Sequence, residues 1–276
     1  SRDGYYKFLE KNKSFTKEIK NNYYLVPKGK SVIDFQTYKM IMVASGLKFT
    51  ECAPPEEITH ECGCLKTNER IINISLFRDY FNEQLAGIIN LNTKIESLIS
   101  SETFIEINGD KYDYCIDCTW GHLINKEKFF YESTILLYYK LKNESHKDKA
   151  WTFVDGKLCS IYPTEKNNIY TLSSVRHTPL SCTNDSIQAY NSIENFDEDT
   201  ITTKKHLMEK EICDFYKHFH NDFDYLGPQL SIKTKPIGED DDRSCYVYKD
   251  KRVISVLSGK IDNIFFATSE VLSLIS

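Results

Sequence analysis

The alternation of apolar and polar positions sets most of the expected elements. From Asn22 the run Tyr23-Tyr24-Leu25-Val26-Pro27 predicts a strand, and Lys28-Gly29-Lys30 supplies a turn. Phe35 to Leu47 then fits a helix, followed by the strand-like Lys48-Phe49-Thr50. Residues 52 to 64, with Pro54-Pro55 and Gly63, read as loop. Phe77, Phe81 and Leu85 repeat at four-residue spacing, so a helix is expected from about Ser75 to Ile88, capped by Asn73 or Ser75. Asn108-Gly109 between Thr103–Ile107 and Tyr112–Thr119 is a strong hairpin signal. The lead-in from 5 to 21 mixes aromatics with lysines, as a short helix or irregular segment does.

From 131 to 176 the chain reads as consecutive antiparallel strands: Tyr131–Leu141, Ala150–Val154 turning at Asp155-Gly156, Leu158–Tyr162 and Ile169–Val175. The acidic stretch Glu194 to Thr200 is expected to be a solvated loop leading to a helix from about Thr203 to Phe219. Strands at Leu230–Lys235, Cys245–Tyr248 and Val253–Leu257, then Ser258-Gly259-Lys260 and a final helix, complete the chain. Helices and strands interleave around a central block of strands, which predicts an α/β (α+β mixed) chain with an inserted antiparallel sheet.

Composition narrows the function. The 276 residues include 18 Tyr and 16 Phe, ample for a core. Thirty-five Lys+Arg against 40 Asp+Glu leave a net charge of −5, without the basic excess that a phosphate backbone demands, so nucleic acid is not an expected partner. No apolar run reaches membrane-spanning length and no signal-peptide core is visible, so neither a membrane nor an address is expected. Nine cysteines without dense spacing point to a reducing compartment, the cytoplasm. The first residue is not Met, which suggests processing or a start inside a longer protein.

Candidate chemistry is sparse. Cys52, His60, Cys62 and Cys64 offer soft ligands, but Cys-x-Cys is not a zinc knuckle and no second pair follows, so a plain loop outweighs a zinc site and no metal is assigned. Cys115 and Cys118 have redox spacing inside a strand pattern, where buried strand cysteines are expected. Arg176-His177 ends a strand, where a polar side chain can meet a ligand. At Ser258-Gly259-Lys260 a strand, a glycine turn and a helix start form a corner that stabilises anions, although the Gly-x4-Gly-Lys spacing of a nucleotide loop is absent.

Three segments carry a family resemblance. Asn73–Ile95 is similar to a helix leading into a strand reading i-l-n-t-x-V. Phe104–Gly121, ending Cys115-Ile116-Asp117-Cys118-Thr119-Trp120-Gly121, resembles the hairpin and strand written D-x-V-V-x-A-T-G-x-W. Arg243–Ile275, with Val253-Ile254-Ser255-Val256-Leu257-Ser258-Gly259-Lys260-Ile261, is similar to a closing strand, glycine turn and helix. Together they resemble FAD-dependent oxidoreductases of the D-amino-acid-oxidase-like superfamily, without the first βαβ unit. Trp120 stands where that family has glycine, and no Gly-x-Gly-x-x-Gly occurs in the chain.

The resemblance implies the remainder of a FAD-binding Rossmann-like domain (65–125 plus 240–276) interleaved with an antiparallel-sheet substrate domain (22–64 plus 126–239). It implies FAD as cofactor, not necessarily retained by this chain alone, and an upstream segment or second chain completing the site. Cofactor contacts fall on Thr119, Trp120, Gly121, Ser258, Gly259, Lys260 and Ile261. Arg243 is the candidate for a substrate carboxylate, and Tyr162 and His177 are inward polar groups assigned by position. The activity implied is hydride transfer to flavin from a carbon bearing an amine or hydroxyl in a small molecule. The alternative is a flavin-free scaffold that binds a small molecule or a protein.

Overall fold

The computed structural model describes residues 2–123, 129–237 and 244–276. In chain order the elements are α1 (Arg2–Asn12), β1 (Thr16–Pro27), α2 (Phe35–Ala44), β2 (Phe49–Glu51), β3 (Cys62–Ile72), α3 (Ile74–Gln84), β4 (Leu98–Ser100), β5 (Ile105–Ile107), β6 (Asp110–Tyr112) and β7 (Cys115–Asp117). Then come β8 (Phe129–Leu141), β9 (Lys149–Phe153), β10 (Cys159–Pro163), β11 (Ile169–Ser174), β12 (Pro179–Thr183), α4 (Ser186–Glu194), α5 (Glu198–Cys213) and α6 (Phe219–Asp222). The chain closes with β13 (Phe223–Pro236), β14 (Tyr246–Asp250), β15 (Val253–Leu257) and α7 (Ile264–Ile275).

The expected central block of strands is part of a nine-stranded sheet in the order β12-β8-β11-β10-β9-β1-β3-β2, with β13 also paired to β8. Its pairs are antiparallel except β1 with β9. Strand periodicity gives this sheet two unlike faces. Ile135, Leu137 and Tyr139 of β8, Trp151 and Phe153 of β9, Ile161 of β10 and Leu172 of β11 pack with Met208 and Ile212 of α5 and with Phe215, Tyr216 and Phe219, forming the main core. The intervening residues make a polar face: Tyr24 pairs with Thr152, Thr152 with Ser160, Tyr162 with Thr171, and Thr171 with Tyr138.

Two three-stranded sheets are separate, β4-β5-β6 and β14-β15-β7. The Asn-Gly hairpin forms as expected, with Asn108 and Gly109 at φ 50° and 92° joining β5 to β6. The run Tyr112–Thr119 does not continue as one strand: it divides into β6 and β7, which join different sheets.

Other departures have local causes. The expected loop 52–64 gives way to β3 at Cys62, which pairs Cys62 to Pro27 and continues to Ile72 opposite Thr16, carrying residues 65–72 into the large sheet. Residues 89–95 form no strand. The acidic stretch is helical from Glu198, because Asp197 caps it by accepting from the Thr200 amide, and Glu198 and Asp199 in the first turn complement the helix dipole. That helix ends at Cys213 rather than at Phe219. Asn73 caps α3, as expected, by accepting from the Leu76 amide. Among the described residues no helix is long and apolar enough to cross a membrane.

Candidate functional site

Parallel pairing of β7 with β15 aligns Cys115 with Val253, Ile116 with Ile254 and Asp117 with Ser255. Both strands therefore end on the same side, and the segments following them, 118–121 and 258–261, meet at their carboxyl ends. Ligands of open α/β sheets bind at such strand ends. The two segments are tied directly: the Trp120 indole Nε1 donates to the Ser258 carbonyl at 2.8 Å.

Each half of this corner is locally ordered. Asp117 is 3% exposed; one carboxylate oxygen accepts from the Thr119 amide at 2.9 Å and hydroxyl at 2.6 Å, while the other is buried without a partner among the described residues. Thr119 Oγ1 in turn accepts from the Leu123 amide at 2.9 Å. Trp120 and Gly121 both adopt left-handed backbone, at φ 59° and 76°. Glycine suits the second position doubly, since a Cβ there would stand 3.0 Å from the Phe129 ring. The Gly121 carbonyl accepts from the buried Tyr131 hydroxyl at 2.6 Å, which ties the corner to β8 of the large sheet.

On the other side, the Ser258 hydroxyl donates to the Lys260 carbonyl at 2.9 Å, and Gly259, Lys260 and Ile261 are exposed. α7 does not begin directly after Lys260, as the pattern suggested. A short 3₁₀ turn, Ile261–Asn263, intervenes, and α1 packs on it so closely that a Cβ on Gly4 would lie 2.1 Å from the Asp262 carbonyl oxygen.

The structure thus brings together Thr119, Trp120 and Gly121 with Ser258, Gly259, Lys260 and Ile261. Tyr162 and His177 lie elsewhere on the large sheet. Tyr162 donates to one oxygen of Glu69 and Tyr24 donates to the other. Burial and the neighbouring Glu69 carboxylate push both phenols up. His177 sits in the turn between β11 and β12, with Lys204 and Glu211 of α5 nearby, and burial pushes its imidazole down. β12 reaches the corner at its other end, where Thr183 pairs with Tyr131. Arg243 lies outside the described residues.

The cysteines carry no metal site. Cys52 and Cys64 come within 3.5 Å, Sγ to Sγ, but His60 bonds the Lys28 carbonyl, and among the described residues no three His, Cys, Asp or Glu side chains are placed to hold a metal ion. Burial and Glu61 push the Cys62 thiol up to about 12. Cys115 is half-buried as a strand residue, whereas Cys118, past the end of β7, is exposed; burial pushes both thiols up.

Three groups escaped the sequence reading. Glu69 sits in a strand whose Lys66, Glu69 and Arg70 obscure its alternation. Asp117 was read only as part of a strand pattern. His122, beyond Gly121, packs between the rings of Tyr131 and Tyr190 with both centroids at 4.9 Å; its Nδ1 is buried without a partner among the described residues, and burial pushes its imidazole down.

No family model matches the chain. The FAD-dependent monooxygenase FPY4 of Fusarium mangiferae is 42% identical over 277 residues, covering all of this chain and 74% of the relative. The chain belongs to this family of FAD-dependent monooxygenases. A more distant member, kojA of Aspergillus flavus, is 25% identical over 72% of this chain and 52% of its own length. Among solved structures, fructosyl peptide oxidase from E. terrenum superposes with a TM-score of 0.71 at 10% identity, over 100% of this chain and 74% of the other. Glycine oxidase from Geobacillus kaustophilus gives 0.64 at 9% identity, over 93% and 70%. These structures share the mixed α/β FAD-oxidoreductase fold with this chain, and FAD is the cofactor of its family.

Proposed function

We propose that this chain forms the flavin-ring corner and the substrate-side sheet of an FAD-dependent oxidoreductase acting on a small molecule. The observation that carries the reading is the parallel β7–β15 pair, which sets Thr119–Gly121 beside Ser258–Ile261 at two adjacent carboxyl strand ends. The donor set fits one edge of the cofactor: Gly259 and Lys260 are exposed, and the ammonium of Lys260 favours negative charge at that corner. FAD held at this corner would supply the hydride-accepting chemistry for a substrate carbon bearing an amine or a hydroxyl. The chain's own residues hold the corner in place: Tyr131 fixes Gly121 from the sheet side, and Trp120 fixes Ser258.

The pyrophosphate has no cradle of the Gly-x-Gly-x-x-Gly type in these 276 residues. β7 is an edge strand among the described residues, with Ile116 41% exposed, and parallel strands are normally covered and flanked on both sides. We assign the open edge to a βαβ unit that completes the dinucleotide site, from an upstream segment or a second chain. On the substrate side, the Tyr24–Glu69–Tyr162 group on the polar face is a candidate for orienting the substrate amine or hydroxyl, with Arg243 retained as the candidate for a carboxylate. The relatives FPY4 and kojA are monooxygenases by name, which favours an oxygen-using member of this class.

The test is the visible spectrum of the purified protein after FAD addition and desalting, for wild type and Lys260→Ala. Retained flavin that is weakened in Lys260→Ala supports the reading. Flavin retained equally by both variants removes Lys260 from the site, and no retention even when the remaining part of the FPY4 relative, outside the 74% matched, is supplied in trans removes the reading itself.

A further inference from the structure

We infer that the Trp120 indole is a stacking platform for a planar heteroaromatic ring of the cofactor, an inference that rests on reading the 118–121 and 258–261 corner as the flavin site. The pattern around Trp120 is unlike that of a packing residue. Its polar edge is pinned, with Nε1 donating to the Ser258 carbonyl at 2.8 Å, while the residue remains 42% exposed. A tryptophan that serves a core is far more buried, as Trp151 is at 0%. Here the polar edge is the held part and apolar ring surface meets water.

The backbone adds a second observation. Trp120 is at φ 59°, a left-handed conformation that costs a bulky L-residue free energy, and it is followed by Gly121 at 76°. Such conformations persist where surrounding contacts over-determine them, and they cluster at ligand-binding and active sites. The contacts here are the Ser258 bond across the two strand ends and the Tyr131 bond to Gly121. Together they hold the ring still before any ligand arrives. A ring held in place has already lost its rotamer freedom, so a planar ligand stacking on it gains contact without ordering the side chain.

Position decides the ligand class. The indole lies beside the exposed Gly259 and Lys260, at the carboxyl ends of two parallel strands. A flat heteroaromatic ring in a ligand that also carries an anion matches an aromatic surface next to a lysine and an open glycine. Both the isoalloxazine and the adenine of FAD have that ring chemistry, and the experiment separates them. The consequence is that the tryptophan at the family's glycine position offers a contact through its side chain where glycine would offer only its backbone.

The molecule has two tryptophans, one on the corner and one fully buried, so intrinsic fluorescence reports the site. FAD is titrated into wild type, Trp120→Phe and Trp120→Ala, following tryptophan quenching in the wild type and flavin fluorescence in all three, with far-UV circular dichroism as the check on folding. Riboflavin and AMP are titrated separately. The expected result is quenching in the wild type, affinity weakened by about tenfold or more in Trp120→Ala, and affinity within about threefold of wild type in Trp120→Phe, which keeps a ring. Quenching by riboflavin assigns the isoalloxazine, and quenching by AMP the adenine. Equal or tighter FAD binding by folded Trp120→Ala overturns the inference and leaves the flavin corner standing. No FAD binding by any variant, even with the remaining part of the FPY4 relative supplied in trans, overturns both.

Discussion

Removing the Glu57 carboxylate should destabilise the fold severely, and rescue by a second substitution should show why. Glu57 belongs to the segment between β2 and β3, and its side chain is 8% exposed. One oxygen accepts from the Lys149 ammonium at 3.1 Å and the Trp151 indole at 3.1 Å, with His146 Nδ1 at 3.5 Å. His146 faces Asp222 on its other side at 3.5 Å, and Asp222 accepts from the Tyr216 hydroxyl at 2.7 Å and the Asn143 amide at 2.9 Å. Glu57→Ala takes the carboxylate from an ammonium that is only 18% exposed and leaves it His146 Nδ1 at 3.1 Å, a loss of about 3 kcal/mol, and it also leaves a buried indole N–H unpaired. Against a total stability of about 5–15 kcal/mol, that is a large fraction. Urea unfolding followed by tryptophan emission should show the midpoint fall sharply. Lys149→Met on the same background removes the stranded charge and should recover about 2 kcal/mol or more of the loss. A loss under about 1 kcal/mol for Glu57→Ala, or additive effects of the two substitutions, would refute the account of a charge held by this carboxylate.

Three further outcomes are expected. Burial is the largest influence on His146 and pushes its imidazole down, against the opposing pull of Glu57, so folding favours the neutral ring relative to the unfolded chain. Its contribution to stability is therefore full above the unfolded value of about 6.5 and lost as pH falls below it, and His146→Gln should flatten that acid limb of the pH–stability curve. Gly121→Ala places a Cβ 3.0 Å from Phe129 in a left-handed backbone and should cost about 1–2 kcal/mol in thermal unfolding, whereas Gly87→Ala, with nothing within 4 Å of the new atom, should cost only the backbone part. Glu69→Ala removes the acceptor shared by Tyr24 and Tyr162 and should lower stability by about 1–3 kcal/mol; Tyr24→Phe made in that background should then be nearly neutral by the same measurement.

Local signals in the sequence specified much of the outline. Alternation predicted the central strands, Asn108-Gly109 predicted its hairpin, and Asn73 predicted the start of α3, because each depends on residues within a few positions of one another. The run Val253–Leu257 and the turn Ser258–Lys260 were also legible, and with them the resemblance to FAD-dependent oxidoreductases. Pattern misread Glu198 and Asp199, since acidic residues are equally at home in a loop and in the first turn of a helix. The deciding group was the Asp197 cap.

Tertiary structure alone decided which of those pieces meet. The pairing of β7 with β15 joins residues about 140 positions apart, and only that pairing sets Trp120 against Ser258. The division of Tyr112–Thr119 between two sheets likewise depends on distant partners. Tyr162 was visible as a strand tyrosine, but its bond to Glu69 requires β3 and β10 to lie with β1 and β9 between them in the large sheet. A strand's side-chain alternation is written in its own residues, whereas its neighbours are chosen by which backbone edge and which buried face are left to satisfy, and that choice belongs to the whole chain.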